Sequence, residues 1–199
     1  MKKIVSLLLL VFGCVGNAQN SLPESATDVA PLLIGEKIPN SSLQSAEGKA
    51  VAMETVLNGK RTVLVFYRGG WCPYCNLHLA ALGEAEKELL ALGYQIVAVS
   101  PDAPKNLKIT EEKDKVNYQL FSDSKGDLIK AMGIEFEAPK KYESIIMKGS
   151  EGINNSFLPV PSVFILNSNG EIEFEYISPD YKHRISNSLL VAAAQSLNK

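Results

Sequence analysis

Apolar residues crowd into Arg61-Thr62-Val63-Leu64-Val65-Phe66-Tyr67, a β-branched and aromatic run closed by Gly69 and Gly70. This pattern predicts a buried central strand. Directly after it, Leu79, Leu82, Ala85, Leu89 and Leu92 recur at steps of three or four and stop at Gly93, which predicts a helix from Pro73 onward. Tyr94 to Ser100 is again mostly apolar and ends at Pro101, as a second buried strand does. A strand, helix, strand unit lays two parallel strands in one sheet with a right-handed crossover.

The alternation continues more weakly. Asn106 to Lys115 predicts a charged surface helix, Gln119-Leu120-Phe121 a short strand, and Ser124 to Met132 a helix ended by Gly133. Residues 134 to 158 carry no period that assigns them. Ser162 to Leu166 and Glu171 to Tyr176 flank Asn167-Ser168-Asn169-Gly170, the pattern of an antiparallel hairpin whose second arm has one wet face. The alanine-rich stretch Ile185 to Leu197 predicts a final helix packed on the sheet. Residues 19–30 are polar and aperiodic and read as a flexible leader, with one domain filling 31–199.

The chain has 199 residues, 46% of them hydrophobic and 21% charged, enough for one domain with a substantial core. A formal charge of −2 without a basic stripe speaks against a nucleic-acid partner. The first eighteen residues have the parts of a secretion signal: Lys2 and Lys3, the apolar run Ile4 to Phe12, and small residues ending at Ala18, where cleavage is expected. The apolar run is short of the roughly 20 residues that span a bilayer, and no later segment replaces it. Cys14 follows Val11-Phe12-Gly13, a loose version of a lipoprotein box, so the alternatives are a lipid anchor or loss with the signal.

Of three cysteines, Cys72 and Cys75 remain, spaced C-x-x-C within Trp71-Cys72-Pro73-Tyr74-Cys75 where a strand hands over to a helix. The unpaired N–H groups and dipole at a helix start favour a thiolate, so Cys72 is expected to attack and Cys75, about one turn on, to resolve. Pro73 is tolerated in the first turn because its missing N–H has no partner there. Trp71 and Tyr74 flank the thiol and are expected to contact substrate. Arg68 either assists there or lies over the strand end. The pair could instead be a structural disulfide or, completed by His78 and His183, a zinc site. Export and the intervening proline favour redox work without metal or cofactor.

Leu158-Pro159-Val160-Pro161-Ser162, directly before a strand, resembles the thioredoxin superfamily element in which a cis proline faces the dithiol. The resemblance implies a cis Pro161 and a Val160 whose backbone pairs with an extended substrate. The longer match Phe66-Tyr67-Arg68-Gly69-Gly70-Trp71-Cys72-Pro73-Tyr74-Cys75, together with Leu158-Pro159-Val160-Pro161 and Pro179-Asp180-Tyr181, is similar to the peroxiredoxin-like branch of the alkyl hydroperoxide reductase and thiol-specific antioxidant family. It implies an α/β thioredoxin-like fold, a central mixed sheet flanked by helices, with an inserted segment before the cis-proline strand.

That family's chemistry would have Cys72 and Cys75 reduce a hydroperoxide and be restored by an external thiol reductant. The motif alone favours a reductase or isomerase of protein disulfides, the family resemblance favours the peroxidase and ranks it first, and a redox-inert binding module or metal carrier is the third reading. Two departures bear on the choice. Ordinary family members carry Thr or Ser three residues before the attacking cysteine, where this chain has Gly69, and thioredoxin's buried aspartate is replaced by Phe66. Arg68 and Arg184 are the arginines available to stabilise charge on a breaking O–O bond, since Arg61 precedes the strand.

Overall fold

A computed structural model describes residues 21–198. The expected signal segment and Cys14 lie outside them. Nine strands and six helices follow in chain order: β1 Ser42–Ser45, β2 Ala50–Ala52, α1 Met53–Leu57, β3 Arg61–Phe66, α2 Pro73–Ala91, β4 Tyr94–Ser100, α3 Pro104–Asp114 and β5 Gln119–Ser122. Then come α4 Asp127–Ala131, β6 Glu135–Glu137, α5 Glu143–Gly149, β7 Phe157–Pro159, β8 Ser162–Leu166, β9 Ile172–Ile177 and α6 Asn187–Leu197.

Seven strands form one mixed sheet in the order β2-β1-β5-β4-β3-β8-β9. The parallel β3–α2–β4 unit holds its centre, with Arg61 opposite Tyr94 and Phe66 opposite Val99. β5 extends it in parallel, while β8 runs antiparallel to β3 and places Ser162 opposite Phe66. Side chains alternate across β3, as strand geometry requires. Val63, Val65 and Tyr67 enter the layer under α2 and α6, whereas Leu64 and Phe66 enter the layer under α1 and α4.

The C-terminal ends of β3 and β4 carry the loops that matter below. β3 is followed by the turn Gly69-Gly70-Trp71, and Gly69 takes φ +136°, a conformation that glycine alone tolerates well. Cys72 is the N-cap of α2, in extended conformation, with Pro73 in the first turn. The segment 134–158 supplies β6, a 3-10 turn at Lys140–Tyr142, α5 and β7, with β6 and β7 pairing as a separate ribbon. Buried Asn154 shapes the loop between them, donating to the Phe157 carbonyl at 3.0 Å and accepting the Ser156 N–H at 3.0 Å.

Two expectations are corrected. No cis peptide bond occurs among the described residues, so Pro161 is trans. It precedes β8 in register just beyond the Phe66–Ser162 pair, and its carbonyl accepts the Ser178 N–H at 2.9 Å, which ties it to the end of β9. The stretch after residue 21 is also closely packed where a flexible leader was expected. Leu22, Ala26, Val29 and Leu32 pack on the α1/α4 core, Leu32 donates to Met132, and Glu137 donates to the Pro23 carbonyl. Among the described residues, no helix is long and apolar enough to cross a membrane.

Candidate active site

The start of α2 brings the two thiols together. Both are free and buried, Cys72 being 1% and Cys75 0% exposed. The turn is closed by the Cys72 N–H donating to Gly69 at 3.1 Å, and the Cys75 N–H donates to the Cys72 carbonyl at 3.0 Å. The thiols are electrostatically unlike. Cys72 is lowered to about 6, first by a hydrogen bond from the Cys75 thiol, against the cost of burial, with help from the Cys75 N–H and the charges of Arg68 and Arg184. Cys75 is pushed well up, first by burial and then by the hydrogen bond it gives Cys72. One sulfur is thus set up as a thiolate and the other as its proton-bearing neighbour.

Two guanidinium groups supply the positive field. Arg184, from the loop before α6, donates through Nη2 to the Cys75 sulfur at 3.6 Å, and its Nη1 is held by the carbonyls of Tyr181 and His183. Arg68 is 3% exposed and lies 5.0 Å from the ring centre of Trp71, 4.5 Å from Tyr142 and 4.3 Å from Tyr181. Aromatic faces in that number hold a cation without neutralising it. Arg61, by contrast, pairs with Glu173 at 3.0 Å at the far end of β3, outside the site.

Trp71, Tyr74, Arg68, Cys72 and Cys75 are therefore grouped at one end of the sheet. Trp71 stacks near Tyr142 at 5.4 Å, and Tyr74, partly exposed, meets Tyr181 edge to face at 5.7 Å. Val160 does not do what the resemblance implied. It is fully buried, its N–H is donated to the Ile134 carbonyl at 2.8 Å, and its carbonyl accepts the Ser162 hydroxyl at 2.6 Å. The Ile134 carbonyl accepts the Val160 N–H and the Pro161 carbonyl accepts the Ser178 N–H, so Val160 and Pro161 offer no free edge to an extended substrate.

Tyr142, Tyr181 and Arg184 complete the site from distant segments; Arg184 had a signal in the sequence as one of few arginines and Tyr181 as part of Pro179-Asp180-Tyr181, while Tyr142 had none. His78, one turn beyond Cys75, is 7% exposed, with no partner for Nε2, and burial lowers it to about 4. A zinc site needs both histidines near the thiols. His183 instead sits exposed on Asp180 at 3.0 Å, and no cluster of three or more metal-binding side chains occurs among the described residues.

A dithiol at the head of the first long helix, on a mixed sheet with helices on both faces, gives the chain a thioredoxin-like fold. Residues 34–175 match the model of the AhpC/TSA family, and the chain belongs to that family. Peroxiredoxin Bcp of Escherichia coli is 27% identical over 152 residues, 76% of this chain and 88% of that protein. A Bcp counterpart from Haemophilus influenzae is 29% identical over 142 residues, 71% of this chain and 84% of the other. Among solved structures, reduced Prx3 of Vibrio vulnificus in complex with H2O2 superposes with a TM-score of 0.68 at 20% identity, covering 82% of this chain and 99% of that one. Peroxidoxin BcpB of Mycobacterium tuberculosis gives 0.66 at 16% identity, with 82% and 97% covered.

Proposed function

We propose that this protein is an exported thiol-dependent peroxidase in which Cys72 attacks a hydroperoxide and Cys75 resolves the product. The observation that carries the reading is the asymmetry of the pair, a thiolate at Cys72 near pH 6 beside a thiol held protonated at Cys75. Peroxiredoxins are thiol-dependent peroxidases, and a structural neighbour is a reduced peroxiredoxin complexed with H2O2.

The Cys72 thiolate attacks the outer oxygen of the hydroperoxide. An S–O bond forms, the O–O bond breaks, and the departing alkoxide or hydroxide takes a proton to leave as alcohol or water. Arg68 and Arg184 supply the positive field for that developing charge. Cys75 then attacks the Cys72 sulfenic acid, an S–S bond forms, and hydroxide leaves with the Cys75 proton as water. Two electrons pass from the dithiol to the peroxide, and an external thiol reductant returns them by disulfide exchange.

A protein-disulfide substrate loses its motive because Val160 has no free backbone edge. Export rests on the first eighteen residues of the sequence. Mixing reduced protein with hydrogen peroxide in a stopped-flow instrument tests the chemistry: loss of both thiols far faster than a free thiol reacts is expected, and loss at the free-thiol rate overturns it. Signal cleavage after Ala18 in a secreting host, read by mass, tests export, and an uncleaved chain overturns it.

A further inference from the structure

Two glycines far apart in sequence leave room for the same atom. A Cβ on Gly69 would fall 2.7 Å from Oδ1 of Asp102, and a Cβ on Gly149 would fall 2.6 Å from that same oxygen. The Gly69 Cβ would also meet Nε1 of Trp71 at 2.4 Å. The space that a Thr or Ser side chain at position 69 would enter is thus filled by an indole edge and a carboxylate oxygen. The other oxygen, Oδ2, accepts the Gly70 N–H at 2.7 Å.

Asp102 is itself fixed. Its N–H reaches the Ser100 hydroxyl at 3.3 Å, and the next residue, Ala103, donates to the Gly149 carbonyl at 2.9 Å, as does the Asn106 side chain at 2.6 Å. Asp102 therefore sits where the loop after β4, the end of α5 and the turn that leads into Cys72 meet, with its carboxylate bonded to that turn. It is 3% exposed and makes no ion pair among the described residues. Burying a carboxylate without a counter-ion is costly, so the group it serves must matter. That group is the Gly70 N–H, in a turn whose next step is the Cys72 N–H donating to Gly69.

We propose that Asp102 is a positioning residue for the dithiol: through the Gly70 N–H and the slot between Gly69 and Gly149, it holds Trp71 and the Cys72 backbone at the start of α2. The proposal rests on Cys72 being the attacking thiol, but its effect on Cys72 is measurable without peroxide. Burial raises Asp102 to about 6, with the Gly70 N–H opposing, and a protonated carboxyl accepts that N–H less well. The groups around it are Tyr67, directly after β3, whose phenol is pushed up by burial and then by Asp102, and Lys113 of α3 and Lys148 of α5, which line a cavity of about 240 Å³ with Trp71 and Asp102. Lys113 is turned to the Gly70 carbonyl at 3.4 Å.

Trp71 is the only tryptophan of the chain, so its emission reads the slot directly. In Cys72→Ser protein, which removes the thiolate's own titration, Trp71 emission is expected to titrate near pH 6, and adding Asp102→Asn is expected to abolish that transition. A transition that survives Asp102→Asn overturns the proposal. With both cysteines present, Asp102→Ala is expected to slow iodoacetamide alkylation of Cys72 at pH 7 about twofold, because one unit added to a thiol pKa of about 6 takes the thiolate from about nine-tenths to about one half. Asp102→Asn, which keeps an oxygen for Gly70, should restore most of the rate. Gly69→Ala fills the slot from the other side and should reproduce the loss even if Asp102→Ala does not fold. Unchanged alkylation in folded Gly69→Ala protein overturns the proposal. Peroxide reduction by the parent at the free-thiol rate, alongside slowed alkylation in the variants, would count against the peroxidase and leave the positioning role standing.

Discussion

Nη2 of Arg184 donates to the Sγ of Cys75 at 3.6 Å, joining two residues 109 positions apart in the chain. The contact reaches both thiols, because the same charge adds to the lowering of Cys72, after the Cys75 hydrogen bond and Arg68, and opposes the rise of Cys75. Arg184→Gln keeps donors in the loop but removes the charge. An opposite charge at short range shifts a titrating group by about 1 to 3 units, and with Arg68 still present the lower end applies. The Cys72 thiolate is therefore expected to form about one unit higher, read from ultraviolet absorbance or the pH profile of alkylation. An unshifted profile would mean that the Cys75 hydrogen bond and Arg68 hold Cys72 low without Arg184.

The unlike thiols also make stability depend on pH in the reduced protein. Cys72 titrates near 6 when folded and near about 8.5 when unfolded. Between those values the unfolded chain binds the extra proton, so stability rises with pH across the window and is lost as pH falls through 6. Cys75 acts with the opposite sign above the unfolded value, because its folded thiol keeps the proton longer. Thermal unfolding of reduced protein should show a Tm rising from pH 6 to 8 and turning down above about 8.5. The oxidised protein has neither thiol to titrate and should lack both trends. Parallel curves for the two forms would contradict the assignment.

Tyr142 and Tyr181 roof the Arg68 guanidinium, and they come from separate segments, the 3-10 turn before α5 and the loop after β9. Removing the Tyr181 ring loosens the cation and frees Tyr74, which lies between the two cysteines in sequence, so access to the dithiol is expected to open. Tyr181→Ala should therefore speed the reaction of Cys72 with a bulky aromatic disulfide reagent while slowing hydrogen peroxide several-fold. A cation–π contact of about 0.5 to 2 kcal/mol sets the scale of the second effect. Equal changes toward both reagents would show that the rings act only as a cover.

The central unit was legible because its signals are long and redundant. β3 and β4 are continuous apolar runs, and α2 repeats its buried positions Leu79, Leu82, Ala85 and Leu89 over 19 residues. β1 exposes no such pattern, since Leu43 alone is buried in it, and α1, at five residues, is too short to show a period. Segment 134–158 is built from pieces of three to seven residues held by Asn154, a tertiary device that no local pattern announces. Within the site, Cys72, Cys75 and Trp71 are contiguous and were readable. Tyr142 and Asp102 reach it only through the fold. The expectation of a cis Pro161 and an open Val160 edge came from resemblance to thioredoxin, and the segment that occupies that edge is what this fold adds.

The packed stretch before the domain has a sharp test at Gly133, which takes φ +68°. A Cβ there would meet the Ala30 carbonyl oxygen at 2.0 Å and the Pro31 Cα at 3.2 Å, backbone atoms that cannot swing aside. Gly133→Ala should push residues 22–32 off the α1/α4 core and cost more than the 1 kcal/mol or so of a tolerated glycine change. Limited proteolysis should then cut within 22–32 much faster than in the parent. Cleavage at the parent's rate would show that the segment yields without detaching.

His78 offers a second pH test of opposite chemical origin. Its imidazole is buried and neutral, lowered to about 4 by burial first and by Arg184 second. An unfolded histidine takes its proton near about 6.5. Between those values the unfolded chain binds a proton that the folded one refuses, so this residue withdraws stability as pH falls from 6.5 toward 4. Asp102 and Asp123, both raised to about 6 by burial, bind protons earlier when folded and act the other way over the same range. Their contribution is shared by parent and variant and cancels in the difference. His78→Leu fills the site with an apolar side chain, so its Tm should fall less than the parent's between pH 7 and 5. Equal falls would show that His78 takes up its proton in the folded state, and Nε2 would then need an acceptor that the buried face of α2 does not supply.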